Sequence, residues 1–221
     1  MLPHDLDLAE VRVLGSLIEK ELSTPDHYPL SLNSLVSACN QSSNRDPVTS
    51  LAPSTVSGAI DTLRRQDLVR SFQGSGERVP KYQHLLAQAD ELSRAESAVL
   101  CVLMLRGPQT LSEVRSRAAR LMPGDDPDGV EAALERLIAR TPEPAAIRLP
   151  RRPGQKEVRY AHLLAGDVIV DVVFDEQDET SVATPDVSGD RMAALEALAR
   201  ELQLEMADLR AQFETFRKQF E

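Results

Sequence analysis

Five blocks of this sequence recur once each, in the same order, and that repeat limits the possible folds more than any other feature. Leu6-Asp7-Leu8-Ala9-Glu10 returns as Leu92-Ser93-Arg94-Ala95-Glu96, and Val13-Leu14 returns as Val99-Leu100. Residues 29–35 match 108–114, residues 56–63 match 130–137, and residues 81–86 match 159–164. The offset between copies falls from 86 to 79 to 74 along these helical blocks. The first copy is therefore longer by 7 residues in the STPDHYP turn and by 5 in the loop containing SNRDPV.

Each copy reads as three helices and a hairpin. Asp7 with Glu10 and Thr110 with Glu113 have capping-box spacing, and the Asp7 pair recurs as Ser93 and Glu96. Val11, Leu14, Ile18 and Leu22 form the apolar stripe of the first helix, and Ser31 caps the second. The third runs through PSTVSGAIDTLRR, with Val56, Ile60 and Leu63 on one face and small polar residues at its start. Residues 69–72 alternate like a strand, Gly74 and Gly76 form a tip, and residues 78–84 return as a second strand. This order predicts a mainly α chain with small β-hairpins (α+β), built as two tandem winged-helix domains plus a C-terminal heptad helix. The expected boundaries are 1–90, 91–174 with a trailing apolar segment, an acidic flexible linker over 175–190, and an amphipathic helix over 191–221.

A helix with a packed back and a small polar front can enter a DNA major groove. Ser54, Thr55 and Ser57 are the candidates for bases or phosphates, with Arg45, Arg64, Arg65, Arg70, Arg78 and Lys81 for the DNA backbone. Arg64 and Arg65 are the weaker members, because they lie away from the end that usually enters the groove. The third helix of the second copy begins instead with Asp125, Asp126, Asp128 and Glu131, which would repel phosphates. That copy's cations lie on its second helix and around its wing, where Arg148, Arg151, Arg152, Lys156 and Arg159 form a secondary basic patch. Such a patch could touch phosphate, face an acidic protein surface, or simply be solvated.

The net charge of −10 argues against nucleic acid, but its distribution matters. Residues 1–90 carry −3, 91–165 carry +2, and 166–221 carry −9. The first two-thirds of the chain are near neutral, short of the strongly basic signature of a dedicated DNA binder. In the last segment Met192, Leu195, Ala199, Leu202, Met206, Leu209, Phe213, Phe216 and Phe220 alternate at spacings of 3 and 4. This is the pattern of a self-association or partner helix, the alternative being a helix folded back on its own domains.

No catalytic motif is present. GSGERVP lacks the lysine and helix start of a phosphate loop, and two cysteines with four histidines make no zinc pattern. No cofactor or metal is expected, and the chain reads as a non-enzyme. His84 and His162 occupy equivalent places and read as structural. Cys39 and Cys101 read as buried thiols of a cytoplasmic protein. The N-terminus lacks signal-peptide features, and no apolar run is long enough to span a membrane.

EKELSTPDHYPLSLNSLVSACNQSSNRDPV strongly resembles the signature of the YceH-like family of uncharacterised bacterial proteins. GPQTLSEVRSRAARL, VEAALERL and RPGQKEVRYAHLL are similar to that family's second half, so the resemblance spans about residues 5–165. It implies tandem winged helices in a cytosolic bacterial protein and brings no assigned activity. Asn44, Arg45 and Asp46 in SNRDPV could bind a partner or a phosphate, or could brace the loop. Two functions therefore stand side by side: a DNA-binding regulator using the first copy, and a non-catalytic protein-interaction scaffold.

Overall fold

All three expected capping boxes form, at Asp7/Glu10, Ser93/Glu96 and Thr110/Glu113, and each opens a helix. The computed structural model describes residues 2–74, 79–86, 91–122, 129–151 and 155–166. The first copy runs α1 (Leu8–Ser23), a 3-10 turn (Pro25–His27), β1 (Leu30–Ser31), α2 (Leu32–Cys39), α3 (Pro53–Arg65), β2 (Val69–Phe72) and β3 (Lys81–His84). The second runs α4 (Arg94–Arg106), β4 (Gln109–Thr110), α5 (Leu111–Leu121), α6 (Gly129–Ala139), β5 (Ala146–Arg148) and β6 (Arg159–His162). The chain is thus α+β, with a small antiparallel sheet in each copy.

Each sheet has three strands where a two-stranded hairpin was expected. The additions are β1 and β4, two residues apiece, which leave their amides on the last strand of the copy. The register repeats as faithfully as the sequence. Leu30 faces Tyr82 as Gln109 faces Tyr160, and Val69 faces His84 as Ala146 faces His162.

The expected stripe on α1 is only part of its buried surface. Glu10, Arg12, Gly15, Ser16 and Glu19 are buried along with Val11, Leu14 and Ile18, so the helix is covered on nearly all sides. The cause is tertiary: α1 packs on α2 and α3 of its own copy and on α4 of the other. The two first helices of the repeat therefore lie against each other, and one apolar cluster runs through both copies. Gly15 sets their approach. A methyl group there would meet Leu105 Cδ2 at 3.0 Å and Met104 Cβ at 3.3 Å. The residue equivalent to Gly15, Cys101, donates from Sγ to the Gly15 carbonyl at 3.5 Å. Both cysteines are free and buried.

No helix among the described residues is long and apolar enough to cross a membrane. The apolar segment after residue 167, the acidic linker, the heptad helix, the acids at 125–128, and Arg78 and Arg152 lie outside the described residues.

Candidate nucleic-acid interface

Pro53 occupies the first turn of α3, and the preceding cap residue, Ala52, offers no side-chain bond to the helix amides. No acid stands in that turn. Val56, Ala59, Ile60 and Leu63 hold the back of the helix in the core. Ser54 and Thr55 are exposed, Ser57 is half-buried, and Gly58 faces open space. The result is a small polar front in which the Ser54 and Thr55 amides have no side-chain cap, an arrangement that suits an anion. The equivalent helix α6 has Glu131 in its first turn, 3.6 Å from Arg115.

The cations are only partly gathered. Arg64, Arg65 and Arg70 share a shallow depression with Asp61 and Asp67. Arg64 lies 3.6 Å from Asp61 Oδ1, and Arg65 donates to the Asp61 carbonyl at 3.3 Å and to Thr62 Oγ1 at 2.9 Å. At ~1.5 Å per residue, this cluster sits roughly 15 Å along α3 from Ser54. Arg70 is exposed on β2, and Lys81 is half-buried on the neighbouring β3. The basic face is therefore interrupted by carboxylates and stands apart from the polar front.

Arg45 requires a correction. Expected at the DNA backbone, its side chain is 0% exposed. Its guanidinium makes a two-pronged bond to Glu19, at 2.7 and 3.1 Å, and donates to the Ala38 and Asn44 carbonyls and to Gln41 Oε1. A group so occupied cannot reach a phosphate at the surface. The rest of SNRDPV braces as well. Asp46 N donates to the Leu105 carbonyl at 2.9 Å, satisfying part of the α4 C-terminus. Asn44 accepts from Arg106, and Arg12 donates to the Pro47 carbonyl at 2.7 Å. The loop found only in the first copy is a clasp that seats the second copy.

In the second copy, Arg148 and Arg151 line a broad groove with Arg115, Tyr160 and three acids, Glu131, Glu135 and Glu157. Lys156 is exposed beside it. Arg159 turns elsewhere, donating to the Pro108 carbonyl at 3.0 Å and lying 3.7 Å from Glu113. Among the described residues the lining of this groove sets three arginines against three acids, which its basic sequence did not suggest.

His84 is buried, with Nε2 2.7 Å from Glu21, and its backbone N–H donates to the Tyr28 hydroxyl. Burial pushes the His162 imidazole down to about 4, so it stays neutral near pH 7. Among the described residues no group of potential ligands could hold a metal ion. Sequence reasoning missed Phe72 and Val79, apolar and about half exposed at the first hairpin. The signal for Phe72 was present: the alternation that places Val69 inward turns Phe72 outward.

The family described as "Protein of unknown function, DUF480" matches residues 6–155. UPF0502 protein azo0627 of Azoarcus sp. (strain BH72) is 48% identical over 217 residues, 98% of this chain and 95% of the relative. UPF0502 protein GSU0233 of Geobacter sulfurreducens is 48% identical over 98% of both chains. A UPF0502 protein of Geotalea daltonii reaches 54% over 162 residues, 73% of each chain. The resemblance first seen in the STPDHYP and SNRDPV motifs thus extends over nearly the whole molecule, and the chain belongs to the bacterial DUF480/UPF0502 family.

Proposed function

We propose that this protein is a non-catalytic, cytoplasmic DNA-binding protein whose first copy meets duplex DNA as a winged helix. The observation that carries this reading is α3: a packed back, outward Ser54 and Thr55, and a first turn with neither a side-chain cap nor an acid. Arg70 and Lys81 on the adjoining strands supply backbone contacts, and Arg64 and Arg65 a weaker, partly neutralised flank. The second copy is held by the clasp, and the acids of α6, Glu131 and Glu135, keep that helix and its groove away from phosphate.

The test is a titration of the full-length protein against duplex DNA at several salt concentrations. Affinity falls steeply with salt, and Arg70→Ala and Lys81→Ala each reduce the slope of log K against log salt by about 0.9. Absence of binding at low salt, or slopes unmoved by both variants, refutes the reading.

The exposed pair Phe72 and Val79, with the charge-balanced groove on the second copy, favours the other reading, a protein-interaction scaffold. Under it, Phe72→Ser abolishes partner capture, and DNA is not bound. Either role accommodates self-association through the heptad stripe from Met192 to Phe220. Light scattering on a chain ending at Asp190 should then give a smaller assembly than the full chain. An unchanged number of chains per particle would sink that part of the proposal.

A further inference from the structure

A crevice opens where the clasp of the first copy meets α4 and α5 of the second. Its floor is apolar, formed by Cys101, Val102, Leu105 and Leu121. Its rim is cationic: Arg106 closes the end of α4, and Arg117 and Arg120 project from α5 one turn apart. Asn44 completes the rim from the clasp and accepts from Arg106. Glu19 also lines the crevice, but its carboxylate is committed to Arg45 and Lys20.

Three guanidinium groups around one small opening repel one another where water does not screen them. The carboxylates nearby offset this incompletely. Arg117 has one contact to Glu113, at 3.3 Å, and Glu113 is shared with the Thr110 cap and with Arg159. Burial, then the charges of Arg117 and Arg120, pull the Arg106 pKa below its ordinary value, with Asp46 opposing. An apolar floor weakens solvent screening and so strengthens the pull of the arginines on an anion, against the cost of desolvating it. The crevice is small, about 50 Å³, and partly open to solvent, which suits one tetrahedral oxyanion.

We propose that Arg106, Arg117 and Arg120, with Asn44, form a binding site for a single phosphate group at the junction of the two copies. Planar guanidinium groups match phosphate oxygens in paired N–H···O bonds, which a lysine cluster would not provide as specifically. The anion would bridge α5 to the end of α4, beside the residue that the clasp already holds. Its binding would therefore tighten the seam between the copies. This site is separate from α3 and the first sheet, and it stands whether or not the protein binds DNA.

The experiment is calorimetric titration of the full-length protein with inorganic phosphate, with ionic strength held constant by chloride, and a parallel titration with glycerol 3-phosphate. The expected result is saturable binding and a rise in thermal midpoint over the same concentration range. Arg117→Gln and Arg120→Gln should each weaken binding about tenfold or more, as expected for a lost charge-assisted contact. Arg94→Gln, at the other end of α4, should leave it unchanged. Tighter binding of the monoester assigns the site to a phosphorylated metabolite, and equal binding assigns it to free phosphate. Both outcomes support the site. Heats that never saturate, or affinities that survive both variants in chains with unaltered circular dichroism, overturn it.

Discussion

Replacing Arg45 with alanine should destabilise the protein by about 3–5 kcal/mol, the range for removing one partner of a buried ion pair. The size follows from what is left behind. Glu19, 5% exposed, would keep its charge beside Lys20 alone, and the Ala38 carbonyl would lose its donors. Against a total stability of about 5–15 kcal/mol, that leaves a marginal fold. Urea unfolding monitored by circular dichroism measures it directly. Replacing the pair together, Arg45→Met with Glu19→Leu, should cost less than Arg45→Ala, because no buried charge is stranded. A mild single variant would mean that Arg45 is a surface residue after all.

Acid should bring the two proteins closer in stability. Burial alone would raise the Glu19 carboxyl, but hydrogen bonds and charge from Arg45, with help from Lys20, hold it below the usual carboxylate range. A depressed acid contributes stability above its unfolded value of about 4.3 and loses it as pH falls through the lower folded value. In the Arg45→Ala chain, burial dominates and the sign reverses, so protonation relieves the strain. The gap between wild type and variant should narrow as the pH falls from 7 toward 4.

The second large effect is expected at Gly15. Leucine there must displace Leu105 and Met104, whose atoms stand 3.0 to 3.3 Å from the added Cβ. Overpacking of this kind costs about 1–3 kcal/mol, and a seam between two helices has little room to relax. Gly15→Ala should be close to neutral, since better helix propensity, about 1 kcal/mol, offsets a shift of the Leu105 side chain. Combining Gly15→Leu with Leu105→Ala should cost less than the sum of the two single changes, a coupling that a double-mutant cycle reads out. Additive costs would place the strain elsewhere.

Local chemistry was legible in the sequence, and long-range burial was not. The capping pairs could be read because each spans three residues, and the helix order followed from apolar spacing. The strands Leu30–Ser31 and Gln109–Thr110 are too short to show alternation, and they exist only because Tyr82 and Tyr160 lie opposite. Arg45 reads as solvated because it sits in a polar loop, while its partner, Glu19, belongs to a helix 26 residues earlier. The polar residues of α1 hid its burial in the same way, since Arg12 is held inside by the Cys39 and Pro47 carbonyls and Glu19 by Arg45. At the candidate interface, the packed back of α3 was readable from its period. That Asp61 breaks the basic face was also written in the sequence, three residues before Arg64, but its consequence needed Asp67 and Arg70 to be brought beside it in space.

The clasp has one more consequence. The helices α1 and α4 match in sequence and in place, so an α1 from a second molecule resembles α4. Under the 86-residue offset, Leu105 corresponds to Glu19 and Arg106 to Lys20. The loop at 44–46 touches both corresponding points but asks for different chemistry at each: a carboxylate for Arg45 on α1, and a free carbonyl and a guanidinium on α4. A second α1 in place of α4 would put Glu19 and Lys20 where Leu105 and Arg106 stand. The insertion therefore fits one arrangement of the two halves, with Glu19 of α1 on Arg45 and the end of α4 on Asn44 and Asp46.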